Sequence, residues 1–425
     1  MTDTIVALSS GRPPAAIGVV RVSGPAAFAA VERLCGALPV PRRASVRALR
    51  DGDGALLDRA LVLAFPGPHS ATGEDLVEVQ CHGGRATIAA VIVALGAIDG
   101  VRAAEPGEFT RRALAHGRID LAQAEGLADL LEAETAAQRR AALDASEGRV
   151  SRAIRGWLNR LALLSAQIEV TLDYAEEGDV AAEAALLDQT IAGAATLRDE
   201  IAAVLATPPV ERLRDGIRVV IAGPPNSGKS TLLNLMTERD AAIVSPHAGT
   251  TRDRIDAPVV RDGVAYLVTD TAGLNDATDP VERIGVSRAA AAMAAADLLL
   301  WLGDDAPPRA DAIWIHARAD LPGRGVLPLE RALAIRQDRA VSIDALWQMI
   351  GVRAAALLPS GDSLPVKAAQ RAAVAIAVDQ LGLAADPLIA AEQLRLAAAA
   401  LGRVLGVDAT EVMLDALFGR FCLGK

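Results

Sequence analysis

The sequence predicts a multidomain chain of α+β and α/β class: an N-terminal α+β domain, a helical domain in two halves, and an inserted P-loop α/β domain. Three observations lead there. Short valine-rich runs with Gly/Pro punctuation fill residues 4–115, and breaker-poor, alanine-rich stretches follow Ile119 and return after LLPSGDSLP at 357–365. Between them, Gly223–Ser230 reads GPPNSGKS, a full match to GxxxxGK[ST], after one apolar run and before the helix-like TLLNLM. Boundaries are expected at 1–116, 117–213, 214–355 and 356–425.

Composition narrows the function classes. With 425 residues the chain is long enough for several cores, and in its 52% hydrophobic content alanine is the commonest residue while aromatics are only 3%, which favours closely packed helices. A net charge of −10 argues against gripping nucleic acid over a broad basic face. Arg139, Arg140, Arg149, Arg152 and Arg155 form a local basic stretch that reads first as the solvated side of helices. Cys35, Cys81 and Cys422 provide neither a disulfide framework nor metal-ligand spacing. No apolar run approaches the roughly 18 residues of a membrane span, and the start MTDT lacks a basic signal-peptide head, so a cytoplasmic protein is expected.

In chain order, TIVAL (4–8), AIGVVRV (16–22), ALVLAF (60–65) and DLVEVQ (75–80) are expected strands, while AAFAAVERLCG and TIAAVIVALG have helical length. Arg21 and Glu78 interrupt two of these strands and, taken alone, read as satisfied strand-edge charges. Asp120 followed by Gln123 forms a helix-cap pattern. Leu158, Leu161, Leu164, Ile168 and Leu172 mark the expected buried face of a long helix.

The phosphate loop carries the first chemistry. Backbone N–H groups of a glycine-rich turn and the positive end of the following helix face phosphates; Lys229 reaches the β and γ oxygens, and the Ser230 hydroxyl suits Mg²⁺. Asn226, Ser227, Gly228 and Thr231 complete this cradle. Downstream, AGTTRD (248–253) offers Thr251 to Mg²⁺ and the γ-phosphate, and DTAG (270–273) supplies Asp270, Thr271, Ala272 and Gly273 at the end of a strand. Motifs in this order point to GTP.

Two departures stand out. Leu274 follows Gly273, where Ras-like proteins carry a glutamine that orients the attacking water, so Asp276, Asp279 and Glu282 become candidates for that task. In place of NKxD the chain has Ala317, Arg318, Ala319 and Asp320. Asp320 remains able to accept two hydrogen bonds from guanine, and the later SA-type motif is reduced to Val341, Ser342 and Ile343. Weaker affinity or looser guanine selectivity is expected.

The whole chain resembles the MnmE (TrmE) family of bacterial tRNA-modification GTPases, through DTIVA, GEDLVEVQCHGG, PGEFTRRA, IDLAQAEGLADLL, GPPNSGKSTLLN, IVSPHAGTTRD, DTAGLNDATDPVERIG and the terminal FCLGK. The resemblance implies an N-terminal folate-binding domain, which also dimerises, and a Ras-like G domain inserted into the helical domain. It implies K⁺ bound by Asn226, Ser245, His247 and Thr250, with Ser245 and His247 standing where other residues are commoner. It makes Glu282 the catalytic glutamate, acting on the attacking water through a second water. It assigns Arg21, Glu78, Arg118 and Lys425 to a tetrahydrofolate one-carbon derivative, with Arg118 in place of a commoner lysine. Cys422, in the C-terminal CxGK motif, is a candidate nucleophile and equally reads as a structural thiol.

The function so implied is K⁺-dependent GTP hydrolysis coupled to modification of the wobble uridine of certain tRNAs at C5. It would proceed in a homodimer joined with an FAD-containing MnmG-type partner as a heterotetramer. Two alternatives are a folate-dependent one-carbon transferase with a weakened G domain, and a ribosome-assembly GTPase related to Era.

Overall fold

The computed structural model describes residues 3–174, 180–237, 256–271, 282–336, 341–407, 411–419, 421 and 424. By the density of its contacts the chain divides into two compact units, one of residues 1–128, 146–155 and 401–425, the other of 129–145 and 156–400.

The first unit is built on six strands: β1 (Thr4–Leu8), β2 (Ile17–Ser23), β3 (Ser45–Arg50), β4 (Leu56–Phe65), β5 (Leu76–His82) and β6 (Val101–Ala103). They lie in the order β3-β4-β5-β2-β1-β6. All neighbours are antiparallel except β1 and β6. Side chains alternate across a strand, so Val20 and Val22 share one face with Val77 and Val79, and this face buries the helices Ala27–Cys35 and Arg85–Gly96. The sequence reading missed β3 and β6; β3 is a sheet edge whose alternation is broken by Arg47 and Arg50.

The opposite face receives the helix Glu108–Ala115, whose Phe109 packs on Ile5 and Ala7. Here the expected strand-edge charges are corrected. Arg21 and Glu78 sit opposite one another on the interior strands β2 and β5, and Arg21 Nη2 lies 2.7 Å from Glu78 Oε1. Arg112, from the same helix, is fully buried. Its guanidinium donates to Asp3 Oδ1 (3.0 Å), Glu74 Oε2 (3.0 Å) and Glu108 Oε1 (3.0 Å). A buried cation is tolerable only with such pairing, and three carboxylates supply it.

The expected cap at Asp120 is formed. Asp120 Oδ1 accepts from Gln123 N–H and Gln123 Oε1 from Asp120 N–H, at the start of the helix Leu121–Glu132. Beyond it a second cap, in which Thr135 Oγ1 accepts from Gln138 N–H and Gln138 Oε1 from Thr135 N–H, starts the helix Ala136–Ser146, and Gly148 precedes the helix Arg149–Tyr174. On the last of these the buried stripe is Ile154, Trp157, Leu161, Leu164 and Ile168, while Leu158 and Leu172 are half-buried. The face is thus rotated slightly from the leucine count, because Trp157 turns inward and donates to Glu200 Oε1 (2.9 Å).

The second unit contains a six-stranded sheet: β7 (Ile217–Ala222), β8 (Asp256–Arg261), β9 (Val264–Asp270), β10 (Leu298–Trp301), β11 (Ile313–His316) and β12 (Leu333–Ala334), in the order β12-β11-β10-β7-β9-β8. Only β8 runs antiparallel to its neighbour. Strands buried on both faces read as continuous apolar runs, as IRVVIA and LLLW do. In such a sheet ligands gather beyond the carboxyl ends of the central strands, here β7 and its neighbours.

Candidate nucleotide site

Strand β7 ends at Ala222, and residues 223–228 turn into the helix Lys229–Thr237. The turn is tight because glycine permits it. At Gly223 the backbone has φ +154°, and a Cβ there would stand 3.0 Å from Ser227 Oγ and 3.2 Å from Gly303 N. Leu232 N–H bonds back to Gly228 (2.9 Å), so the helix begins inside the motif and directs its positive end at the cleft.

Lys229 is buried, and its ammonium donates to the carbonyls of Gly223 (3.1 Å) and Pro224 (2.9 Å) along the loop. Ser227 Oγ is buried and has no hydrogen-bond partner among the described residues, which suits an incoming phosphate oxygen. Ser230 Oγ donates to Asp270 Oδ2 at 2.6 Å. These two oxygens, with phosphate and water, make the sparse oxygen set that Mg²⁺ takes in nucleotide enzymes. Thr271 is buried and its hydroxyl donates to Ile221 O (3.0 Å), tying the end of β9 to β7.

A cleft of about 640 Å³ joins both ends of the site. Asn226, Ser227, Gly228, Lys229, Ser230 and Thr231 line its phosphate end; Ala317, Arg318, Asp320 and Ile335 line the other. Arg318 connects them, since its Nη1 donates to Asn226 O (2.8 Å) and its aliphatic carbons pack beside Gly228. Val341, Ser342 and Ile343 form the first turn of the helix Val341–Ala355, and Ser342 and Ile343 are not among the described residues that line the cleft. The segment leaving β12 reaches the cleft earlier, at Ile335, because the loop after a parallel strand borders the ligand. Only the topology could reveal this, as IRQDRA carries no motif.

Ser245, His247, Thr250, Thr251, Ala272, Gly273, Asp276 and Asp279 lie outside the described residues, as do Cys422 and Lys425. Glu282 opens the helix Glu282–Ala295 and is described by its backbone alone. In the first unit, Arg21 pairs with Glu78 and lies over the Phe109 ring, 5.7 Å from its centroid. Arg118 lines a different cavity, of about 510 Å³, with Asp120, Arg155 and Leu405. The C-terminal segment returns to β1. Ser9 Oγ donates to Gly424 O (2.6 Å), and a Cβ at Gly424 would stand 2.1 Å from Leu8 O, so only glycine fits there.

Comparison with known proteins finds relatives that match the chain from end to end. A family model of the GTP-binding protein TrmE N-terminus matches residues 4–118, and a model of the MnmE helical domain matches 121–422, a span that encloses the phosphate loop. A relative from Erythrobacter litoralis, named tRNA modification GTPase MnmE, is 50% identical over 427 residues, all of both chains. The chain belongs to the MnmE family. A Rhizorhabdus wittichii relative of the same name is 52% identical over all of this chain and 97% of its own, and one from Methylobacterium is 46% identical over all of both. These three MnmE relatives match the complete length of this chain, both units included. Among the described residues no helix is long and apolar enough to cross a membrane.

Proposed function

We propose that the protein hydrolyses GTP and, with an FAD-containing MnmG-type partner, modifies C5 of the wobble uridine of certain tRNAs. The addition is an aminomethyl or carboxymethylaminomethyl group, and its one-carbon unit comes from a tetrahydrofolate derivative. The observation that carries the GTP reading is the cleft that joins the phosphate loop, whose Ser230 is bonded to Asp270, to Asp320. A decayed G domain has no reason to keep these parts together, so the folate transferase with a weakened G domain is the poorer reading. The tRNA assignment rests on the MnmE relatives and their name.

Within the site, Lys229 and the helix N-terminus hold the β and γ phosphates; Ser230 and Thr251 would bind Mg²⁺ directly and Asp270 through water, and the ion would neutralise charge on the phosphate oxygens. Asp320 accepts the guanine donors. Leu274 cannot bind the attacking water, so Glu282 orients it. Asn226, Ser245, His247 and Thr250 hold K⁺, which adds positive charge where an arginine finger acts elsewhere. Two G domains complete this site as they meet, and hydrolysis opens and closes them to gate the chemistry.

Arg21, Glu78, Arg118 and Lys425 are assigned to the folate. The Arg21–Glu78 pair faces the sheet side opposite the two core helices, and the Gly424 anchor brings the C-terminus to the end of β1. These positions support a shared ligand surface for a polar pterin and an anionic tail. We assign residues 1–116 to the folate-binding and dimerising domain, 117–213 and 356–425 to the helical domain and 214–355 to the G domain, in a cytoplasmic homodimer. Mass spectrometry of tRNA nucleosides from cells lacking the protein tests the assignment. Loss of the C5 group from wobble uridine is expected, and unaltered nucleosides would remove it.

A further inference from the structure

Ala317 opens the loop that carries Asp320, and its methyl group offers no polar atom to fasten that loop. The backbone is nonetheless held at several points. Arg324 Nε donates to Ala317 O (3.2 Å), Ala319 N–H donates to Ile335 O (3.1 Å), and Arg336 Nη1 donates to Ala319 O (3.4 Å). Behind the first contact lies a closed ring of side chains. The fork of Arg324 donates to both oxygens of Asp304 (3.0 and 2.9 Å), and Arg331 Nη2 donates to Asp304 Oδ1 (2.9 Å). Arg331 Nη1 donates to His316 Nδ1 (3.1 Å), and His316 Nε2 then donates to Arg324 O (2.8 Å). A guanidinium can only donate, so Nδ1 is the acceptor in this ring and Nε2 the donor.

The ring also reaches the phosphate loop. Arg331 lies over the Trp314 indole, 5.2 Å from its centroid, and Trp314 Nε1 donates to Gly303 O (2.8 Å). Gly303 in turn abuts Gly223, the first residue of the phosphate motif. Only 7% of the Arg331 side chain is exposed, which fixes the guanidinium in place, whereas the Asp304 carboxylate it bonds is open to solvent. The two guanidiniums hold the Asp304 carboxyl well below the usual carboxylate range.

We infer that Asp304, Arg324, Arg331 and His316 are positioning residues for base recognition, holding the Ala317–Asp320 loop so that Asp320 meets two adjacent N–H donors of a purine. The inference rests on the reading of the cleft as a guanine nucleotide site. None of these four side chains belongs to a nucleotide motif. Together they take over the fastening that the side chain at 317 cannot provide.

Inosine triphosphate keeps the N1 proton of GTP and lacks its 2-amino group, so the ratio of the two affinities isolates the second hydrogen bond to Asp320. Fluorescent N-methylanthraniloyl derivatives of both nucleotides, titrated with Mg²⁺ against the full chain, measure that ratio. A site that reads the amino group should prefer GTP by about tenfold or more in the wild type. Asp304→Asn keeps the volume of a side chain that is 65% exposed and removes the charge shared by two guanidiniums. It should bring the ratio close to one, mainly by weakening GTP. Arg331→Lys keeps the charge without spanning Asp304 and His316, and should lower the ratio as well. A wild-type ratio of one, an unchanged ratio in both variants, or equal losses for both nucleotides overturns the inference. If the wild type binds neither nucleotide, the reading of the cleft fails and the inference with it.

Discussion

Ser230 Oγ and Asp270 Oδ2 lie 2.6 Å apart, joining the first turn of the phosphate-loop helix to the last residue of β9. In the proposed function both residues serve one Mg²⁺ shared with phosphate. Asp270→Ala should lower Mg²⁺-dependent GTP turnover by about 10²-fold, roughly 2.7 kcal/mol of transition-state stabilisation. Steady-state phosphate release measures it. Turnover within twofold of wild type would remove Asp270 from the metal site.

Glu282 begins a helix on the far side of the segment that carries Leu274. Glu282→Ala should keep GTP binding and lose about 10²-fold or more of hydrolysis, the usual scale for a group acting on the nucleophile's proton. The same assay in K⁺ and in Na⁺ should show stimulation by K⁺ alone. Equal rates in the two salts would refute the K⁺ assignment of Asn226, Ser245, His247 and Thr250.

Arg112 is fully buried among Asp3, Glu74 and Glu108. Arg112→Ala takes the buried cation from these carboxylates, leaving Asp3 and Glu108 with Arg102 and Glu74 with Ser23, and opens a cavity. About 3–5 kcal/mol of stability should be lost, read as a lower urea midpoint for the first unit. A midpoint close to wild type would mean that the carboxylates find water instead.

Burial pushes the Glu108 carboxyl up, but the hydrogen bonds from Arg102, the Glu105 backbone and Arg112 prevail and hold it below the usual range. A depressed folded-state pKa contributes stability that is present above the unfolded value, near 4.5, and is lost as pH falls through the folded one. Glu108→Gln should therefore flatten the acid limb of stability against pH, measured by urea titration from neutral pH to below about 4. An acid limb as steep as that of the wild type would assign it to other groups.

Arg21 and Glu78 stay partly exposed, at 23% and 20% of their side chains, so a ligand can reach both. Arg21→Ala should weaken 5-formyltetrahydrofolate binding by about tenfold or more, followed by calorimetric titration. Retained affinity in a folded variant would place the folate elsewhere.

Much of this was open to reading in one dimension. GPPNSGKS demands a strand, a turn and a helix start, because phosphate needs converging N–H groups, and the strand and helix flanking it follow from local patterning. The valine-rich strands and the Asp120 cap were equally legible, since alternation and capping are effects of near neighbours in sequence. Edge strand β3 was not, because its two arginines mask the alternation and its pairing partner fixes it.

The chain alone determined which chemistry is present: a phosphate cradle, an aspartate after a buried strand, and an aspartate retained at 320. Tertiary structure decided what holds those groups in place. Asp304, Arg324, Arg331 and His316 belong to no motif in the sequence yet close one ring beneath the base loop. Likewise Arg21 and Glu78, 57 positions apart, became one ion pair across two interior strands. Such contacts depend on the register of a sheet and the meeting of loops at its carboxyl edge, and neither leaves a periodic trace along the chain.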